Sequence, residues 1–268
     1  MSLARFSGCS ATMNVMMAAV QKAARGLVRD FGEIEHLQVS KKGLGDFVST
    51  ADKRSEKILI EELQKARPDY AFITEETGII PGRDPHHTWI IDPLDGTTNF
   101  LHSIPHFAIT VALKRGDEIV VGVTYDPIKD EMYWAEKGKG SFVNQRRLRV
   151  SARRHRDEAL VAMGTPFGNH GDRSSFQKHL EKIMPVTAGT RRFGAAALDL
   201  AYVASGRFDV FFEDHLKLWD LAAGILLVKE AGGYVSEING GKNMLESGSV
   251  LASNAILFDS FQDLLKSS

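Results

Sequence analysis

Residues 92–100, Asp92-Pro-Leu-Asp-Gly-Thr-Thr-Asn-Phe100, follow the apolar run Trp89-Ile-Ile91 and set the architecture of this chain. The β-branched and aromatic run predicts a buried strand. We expect the strand to stop after Asp92, because Pro93 cannot donate to a sheet ladder and Gly96 permits a tight turn. Two carboxylates three positions apart would therefore project from the end of a buried strand.

Backbone N–H groups follow these carboxylates directly. Gly96, Thr97 and Thr98 suit the first turn of a helix, where unpaired N–H groups and the helix dipole attract an anion. The carboxylates of Asp92 and Asp95 would hold hard cations, which prefer oxygen ligands. The segment therefore predicts a joint site for metal ions and phosphate, although Asp-Pro and Asp-Gly also form ordinary turns.

Length and composition indicate an ordinary globular protein. The 268 residues suffice for one large or two medium units, and the contents of 43% hydrophobic and 25% charged residues are unexceptional. A formal net charge of −1 gives no global field for a polyanion. The single cysteine, Cys9, excludes an internal disulfide framework and fits a reducing compartment.

The sequence shows neither a membrane span nor a secretory signal. No apolar run approaches the roughly 20 residues that a span requires. Near the N-terminus, Asn14 and Gln21 interrupt the apolar residues, and no uninterrupted hydrophobic region follows Arg5. We therefore expect a cytoplasmic location and no membrane partner.

Hydrophobic periodicity predicts two halves, 13–150 and 151–268, after a loose lead-in of residues 1–12. In the first half we predict two helices, one from an N-cap at Thr12 to Gly32 and one from a cap at Ser49 or Thr50 to about Ala66. The predicted strands are 39–42, 70–74, 89–92, 107–114, 119–125 and 131–135. We also predict a hairpin of 140–143 and 148–151 and a loop over 79–88. In the second half we predict strands over 160–164, 186–188, 210–213, 233–238 and 250–253, and helices over 174–183, 195–205, 220–231 and 256–266. This alternation indicates a layered α/β architecture.

Several acidic side chains lie where these elements begin or end. They are Asp52, Glu75, Glu76, Asp92, Asp95, Glu213 and Asp220. Open α/β sheets place their sites at the ends of strands and the starts of helices. We therefore expect these side chains to be drawn from both halves into one site.

Three segments together resemble the signatures of the inositol monophosphatase family. They are Glu75-Glu76 after a strand, residues 89–100, and Trp219-Asp-Leu-Ala-Ala-Gly224. The resemblance covers nearly the whole chain after residue 12. It implies a mixed α/β fold, the layered αβαβα sandwich of the sugar phosphatase and inositol monophosphatase type. It also implies magnesium-dependent hydrolysis of a small phosphate monoester, with inositol 1-phosphate the leading substrate, together with a homodimer and inhibition by lithium.

The resemblance also implies a set of metal ligands. Glu75, Asp92 and the carbonyl of Leu94 would bind one Mg²⁺, and Asp92, Asp95 and Asp220 would bind a second. Glu75 would also reach a third, more hydrated ion, so that two or three ions are expected.

The family's remaining roles fall on residues around this metal site. Glu75 and Thr97 would orient the attacking water, Asp52 would bond to Thr97, and the amides of Gly96 and Thr97 would hold the phosphate. Asp95 would also contact the substrate, and the residues matching the alcohol side are Thr165, Arg191, Gly194, Ala195, Ala196, Glu213 and Asp220.

The reaction explains why so many carboxylates are needed. Hydrolysis of phosphate monoesters requires accelerations of up to about 10²¹. Two metal ions roughly 3.5–4 Å apart can hold the attacking and leaving oxygens in line. Converging carboxylates would raise one another's pKa in the absence of cations. Bound to metal, they stay ionised.

Other interpretations of single residues stay open at this stage. Asp220 would make a good helix N-cap, and Asp52 with Ser49 resembles a capping box. Glu76 is equally well explained as a solvated residue. His102 and His106 have helical spacing, but the proline between them favours structural histidines.

The substrate is the part of the prediction that residues constrain least. Ala195 stands where relatives often carry Ser or Thr, and Lys217 where some carry His. Related enzymes with the same metal ligands act on sugar bisphosphates, nucleotide 3′-phosphates or histidinol phosphate.

The resemblance also implies a different class of function, an interaction protein in a transcription complex, since some bacterial relatives take part in such complexes, and a basic segment motivates it here. Six arginines lie between Arg146 and Arg156, but no aromatic residue is interleaved among them, which favours a solvated hairpin and linker. Binding of RNA polymerase or nucleic acid is therefore an alternative that the overall charge does not indicate.

Overall fold

A computed structural model describes residues 8–34, 39–43, 46–166 and 171–266, with the backbone alone for 39–43 and 46–48. Two sheets and three helical layers alternate in it. The helices are α1 Ala11–Phe31, α2 Thr50–Ala66, α3 Thr97–Leu101, α4 Arg173–Ile183, α5 Ala196–Ala204, α6 Leu218–Glu230, α7 Met244–Ser247 and α8 Phe258–Lys266. Within the described residues, the first two strands, β1 Val39–Gly43 and β2 Asp46–Ser49, pair only with each other.

The larger sheet has eight strands from the first half of the chain. They are β3 Ala71–Thr74, β4 Gly78–Ile80, β5 His87–Asp95, β6 Ala108–Arg115, β7 Glu118–Asp126, β8 Glu131–Glu136, β9 Gly140–Val143 and β10 Arg146–Arg147. Their order is β10-β9-β8-β7-β6-β5-β3-β4, and only β3 and β5 pair in parallel.

The smaller sheet has five strands from the second half. They are β11 Leu160–Met163, β12 Gly189–Arg191, β13 Val210–Glu213, β14 Gly233–Ser236 and β15 Val250–Asn254, in the order β12-β11-β13-β15-β14. β11 runs parallel to both of its neighbours, whereas β15 is antiparallel to β13 and β14.

The helices form layers on both sides of the sheets and between them. α1 and α2 pack on one face of the larger sheet, α5 and α6 lie between the two sheets, and α4 and α8 cover the outer face of the smaller one. α6 touches both sheets, and its residues from Leu221 to Val228 are all buried. The predicted αβαβα sandwich is therefore confirmed.

The central strand continues further than the sequence predicts. β5 runs through Pro93 to Asp95, and its register with β6 shifts between Asp92 and Asp95. A proline is tolerated where a bulge interrupts the ladder, so the prediction that the strand ends at Asp92 was wrong. Gly96 then turns the chain with φ of 88° and leads into α3, as predicted.

Other boundaries also differ from prediction. Ser10 rather than Thr12 caps α1, accepting a hydrogen bond from the Met13 N–H at 3.1 Å. Residues 184–186 form a 3-10 turn that contains Pro185, which moves the predicted strand 186–188 to β12. Asn144, with φ of 51°, tightens the hairpin, so its second strand is β10 instead of 148–151.

Strands also occupy both ends of the segment predicted as the loop 79–88. β4 includes its first two residues, and β5 begins at its last two. The short helix α7 was not predicted. Within the described residues, no helix combines the length and apolar character needed to cross a bilayer. The division of the chain at residue 150 stays a prediction.

Close packing between α5 and α6 yields a stability prediction. A Cβ at Gly224 would lie 2.6 Å from the Cβ of Leu200, which is too close for a backbone-proximal atom to avoid. We expect Gly224→Ala to lower the free energy of unfolding by about 1–3 kcal/mol in urea titrations, through overpacking. The matched control is Gly26→Ala in α1, whose added Cβ meets nothing nearer than 4.0 Å and should raise stability by about 0.4–1 kcal/mol. Equal stability of Gly224→Ala and the parent would contradict this packing.

Candidate active site

Three carboxylates meet where the two halves face each other. Asp92 and Asp95 come from the bulged end of β5, and Asp220 comes from the first turn of α6. One oxygen of each lies within 4.8 Å of the others. Asp92 and Asp95 are buried and Asp220 is half-buried, so the cluster is largely withdrawn from solvent.

A backbone N–H group orients each of the two buried carboxylates. Asp92 Oδ1 accepts from the Leu94 N–H at 2.9 Å, and Asp95 Oδ2 accepts from the Ala197 N–H at 2.9 Å. The second contact joins the larger sheet to the start of α5. Charge-assisted bonds of this kind are stronger than neutral ones, and each fixes one oxygen of its carboxylate.

Asp220 is held in the same way, but it is not the helix N-cap that the sequence suggested. Lys217 is the capping residue, and Asp220, three positions later, accepts from the Lys217 N–H through Oδ2 at 2.7 Å. This is the carboxylate half of a capping box. The arrangement directs Asp220 backwards, toward Asp92 and Asp95.

Burial and mutual repulsion disfavour negative charge in this cluster. Desolvation raises the pKa of Asp92 and Asp95 well above the usual value, and the charges of Glu75 and Asp220 raise both further. Desolvation also raises the pKa of Asp220, to about 6. Oxygen donors crowded in this way fit a hard divalent cation, which would compensate their charge.

Thr97, at the start of α3, links this cluster to α2. Its hydroxyl lies 3.1 Å from Asp52 Oδ1 and 3.0 Å from the carbonyl oxygen of Leu94. Asp52 Oδ2 accepts from both the N–H and the hydroxyl of Ser49. Asp52 therefore completes a capping box and also contacts Thr97, and its burial raises its pKa.

A cleft of about 430 Å³ opens beside these groups. The predicted residues that line it are Glu75, Asp95, Gly96, Thr97, Thr165, Gly194, Ala195, Ala196, Glu213 and Asp220. A side chain at Gly96 would bring a Cβ within 3.3 Å of the Ala195 Cβ and 3.1 Å of the His106 carbonyl oxygen. The positive φ of Gly96 and this close approach both favour glycine there.

The arginine in this cleft is not the one that the sequence indicated. Arg191, at the end of β12, is exposed and donates to the carbonyl of Thr190 at 2.8 Å. Arg192 lines the cleft instead. Successive strand residues point to opposite faces, so a one-position difference decides which side chain enters the site.

Glu213 lines the cleft at the end of β13. Its carboxyl group fills the space that a side chain at position 164 would need, because a Cβ on Gly164 would overlap it. Burial raises the pKa of Glu213 to about 8, with Asp220 adding to the effect and Arg192 opposing it. Lys217 lies in the same cleft.

Comparison with known proteins agrees with this geometry. The model of the inositol monophosphatase family matches residues 10–266. The chain belongs to that family. It is accordingly an enzyme, a metal-dependent phosphatase.

Individual relatives are similar to this chain over 90–96% of its length. An inositol-1-monophosphatase of Caulobacter vibrioides is 53% identical over 94% of this chain and 99% of its own. The Nus factor SuhB of Escherichia coli is 41% identical over 90% of this chain and 91% of its own. The crystal structure of the extragenic suppressor protein suhB from Bartonella henselae superposes with a TM-score of 0.94 at 50% identity, covering 96% of this chain and 99% of that one.

Among the described residues, neither of the predicted structural histidines belongs to the carboxylate cluster. His102 is exposed, whereas His106 packs edge-on against Phe193 and Tyr202. Burial lowers the pKa of His106 to about 4, so the ring is neutral near pH 7.

Sequence reasoning missed Asp199, a buried acid in the first turn of α5. Within the described residues its Oδ1 has no hydrogen-bond partner. Burial raises its pKa well above the usual value, and the charges of Glu213 and Asp95 raise it further. An acidic residue in an otherwise apolar helix was the available signal.

Because the pKa of Asp199 is raised, we predict that Asp199→Asn gains folding stability relative to the parent as the pH rises. The folded state keeps this proton, whereas the unfolded chain releases it above about pH 3.9, so the parent loses stability as pH rises from there toward the folded pKa. Asparagine cannot ionise. With EDTA present, the melting temperature of Asp199→Asn relative to the parent should therefore increase from about pH 5 to about pH 8. A constant difference would contradict the assignment.

A second buried aspartate provides the control for this comparison. Asp209 accepts hydrogen bonds from the Ser151 hydroxyl at 2.5 Å and the Leu160 N–H at 2.8 Å. Asp209→Asn removes charge from a satisfied carboxylate and should destabilise the fold at both pH values.

Proposed function

We propose that this enzyme hydrolyses inositol 1-phosphate to inositol and phosphate with Mg²⁺ as cofactor. The observation that carries the proposal is the convergence of Asp92, Asp95 and Asp220 beside the start of α3. Inositol-1-monophosphatases from other bacteria, 51–53% identical to this chain, support the choice of substrate.

The donor set suits two or three Mg²⁺ ions. Glu75, Asp92 and the Leu94 carbonyl would hold one ion, Asp92, Asp95 and Asp220 a second, and Glu75 a third. When bound, the ions neutralise phosphate charge and lower the pKa of water. Within the chain, burial and the backbone hydrogen bonds keep the carboxylates in place for this purpose.

Thr97 and Asp52 would orient the attacking water through a chain of hydrogen bonds. The Thr97 hydroxyl has one proton and two acceptors in reach, Asp52 and the Leu94 carbonyl. If the hydroxyl donates to one of them, its lone pairs accept from water, which orients the nucleophile together with Glu75. The amides of Gly96 and Thr97 would hold the phosphate at the start of α3.

The second half of the chain would recognise the alcohol. Glu213 and Asp220 are acceptors suited to the hydroxyl groups of a polyol, and Gly194, Ala195 and Ala196 leave room for the ring beside Thr165. Arg191 also stays a proposal for this side. Lys217 is the cleft residue that favours a second anionic group, as in a sugar bisphosphate, a nucleotide 3′-phosphate or histidinol phosphate.

Three further properties are proposed from the family resemblance: a homodimer, inhibition by lithium and a cytoplasmic location. The carboxylate cluster supports the second, since a small monovalent cation would compete for the same oxygens.

Loss of one metal ligand should abolish turnover. Asp95→Asn removes a charge from the cluster while keeping the acceptor for the Ala197 N–H, so the fold should persist. We expect the rate of phosphate release from inositol 1-phosphate at saturating Mg²⁺ to fall at least about 100-fold, since even outer partners of metal ligands contribute 10–100-fold. Excess EDTA should have the same effect on the parent.

The control and the substrate panel belong to the same assay. Asp117→Asn changes a fully exposed aspartate and should leave the rate unchanged. Initial rates of the parent on fructose 1,6-bisphosphate, 3′-phosphoadenosine 5′-phosphate and histidinol phosphate test the substrate. Undiminished turnover with EDTA would refute the metal assignment, and a faster rate on another panel member would refute inositol 1-phosphate.

A second candidate function is participation in a transcription complex. The relatives named Nus factor SuhB support it, as does the exposure of all six arginines between positions 146 and 156. Arg153 pairs with the buried Asp209 at 3.2 Å, whereas Arg149 and Arg154 project from the surface and suit a polyanion. Such binding would not need the metal site.

Binding measurements separate this candidate from catalysis. RNA polymerase or RNA should bind Asp95→Asn as tightly as the parent at low salt, and the affinity should fall as salt is added. The double variant Arg149→Glu and Arg154→Glu should bind more weakly, while Arg83→Glu, an exposed arginine elsewhere, should not. Absence of binding by the parent at low salt would exclude this role.

A further inference from the structure

The first two turns of α2 present a buried polar face toward the site. Asp52, Ser55 and Glu56 are spaced i, i+3 and i+4, which places them on one side of the helix. Their exposed fractions are 0%, 2% and 2%. The later inward positions, Leu59 and Leu63, are apolar and fully buried. The polar face is thus confined to the part of α2 nearest the carboxylate cluster.

Glu56 fixes the segment that follows β3. Its Oε2 accepts from the Glu76 N–H at 2.9 Å, and its Oε1 accepts from the Thr77 hydroxyl at 2.5 Å. These two donors directly follow Glu75, the residue proposed to bind metal from this strand end. Both carboxylate oxygens of Glu56 are therefore engaged in holding the backbone next to Glu75.

Ser55 fixes the bulge of β5. Its hydroxyl donates to the carbonyl oxygen of Pro93 at 2.9 Å, and the contact is buried. Pro93 lies between Asp92 and Leu94, which supply a carboxylate and a carbonyl to the proposed metal site. The bulge has lost regular pairing with β6, so this bond replaces part of the support that the ladder would give.

We propose that Glu56 and Ser55 are positioning residues for the metal ligands. Packing α2 against the sheet needs only apolar side chains, and burying a carboxylate is costly unless it is hydrogen-bonded. Among the described residues, Glu56 meets that condition by binding the Glu76–Thr77 segment, so its carboxylate is placed to hold the backbone next to Glu75. This inference rests on the proposed function, because it assumes that Glu75 binds Mg²⁺.

Direct Mg²⁺ binding, measured by isothermal titration calorimetry, tests the proposal. Glu56→Ala should weaken Mg²⁺ binding about 10–100-fold, the range found for residues that orient metal ligands. Glu56→Gln keeps one acceptor for the Glu76 N–H and should restore most of the affinity. The matched control is Glu62→Ala in the same helix, which loses exposed contacts to Lys22 and Lys65 at 2.8 and 2.9 Å and should bind like the parent.

Two smaller changes keep the proposal testable if Glu56→Ala does not fold. Thr77→Val removes one partner of Glu56 at an exposed residue, and Ser55→Ala removes the bond to Pro93. Each should weaken Mg²⁺ binding several-fold and shift the Mg²⁺ dependence of turnover to higher concentrations. Parent-like affinity in both would overturn the proposal.

The outcome also distinguishes this inference from the proposed function. A lower melting temperature of Glu56→Ala with parent-like Mg²⁺ affinity would show a merely structural role and overturn the inference alone. Glu75→Gln is the reference variant, because it should lose Mg²⁺ affinity whether or not Glu56 positions the metal ligands. Absence of Mg²⁺ binding by the parent would overturn the proposed function and this inference with it.

Discussion

Repulsion among three carboxylates within 4.8 Å of one another is the constraint that the surrounding structure has to balance. Two unit charges about 4 Å apart repel by about 4 kcal/mol at an effective dielectric constant near 20. A hydrogen bond to a charged group returns about 1.5–3 kcal/mol. The backbone donors to Asp92, Asp95 and Asp220 therefore offset only part of the repulsion. Protonation or a cation has to supply the rest. Desolvation raises the pKa of all three carboxyl groups, and neighbouring acidic charges raise those of Asp92 and Asp95 further.

The two halves of the chain contribute different chemistry to the site. The first half places acids at the ends of β3 and β5 and supports them from α2. The second half contributes Asp220 and the surface proposed to face the alcohol, where Gly164 makes room for Glu213 and Arg192 lines the cleft. Changes at Glu213 or Arg192 would alter the charge offered to a substrate without removing a residue proposed to bind metal.

Local patterns predicted a layered α/β architecture with acidic residues at the ends of its elements, and the family resemblance implied the αβαβα sandwich and most of the cleft residues. Residues 89–100 were sufficient for the central strand and the turn at Gly96, whereas the contact between Asp52 and Thr97 was implied by the family resemblance. The predictions that were wrong concern features that depend on tertiary context. Pro93 fits inside β5 because the register with β6 shifts there. Asp220 is the third residue of α6 and not its N-cap, because Lys217 caps the helix.

The sequence contains a signal for a further residue near the site. Glu56 lies one helical turn after Asp52, so the same periodicity that places Asp52 at the site also places Glu56 beside it. Arg192 is different, because choosing between it and Arg191 requires the register of β12, which a three-residue strand does not reveal.

The position of α6 between the sheets has a consequence for the order in which the protein can be completed. Because Leu221 to Val228 are buried against both sheets, the inner face of the larger sheet lacks part of its cover until that helix has been synthesised. Asp220 arrives with the same helix. The last proposed carboxylate ligand and this apolar cover are thus delivered together, so that a ribosome-bound chain that ends before Asp220 would lack both.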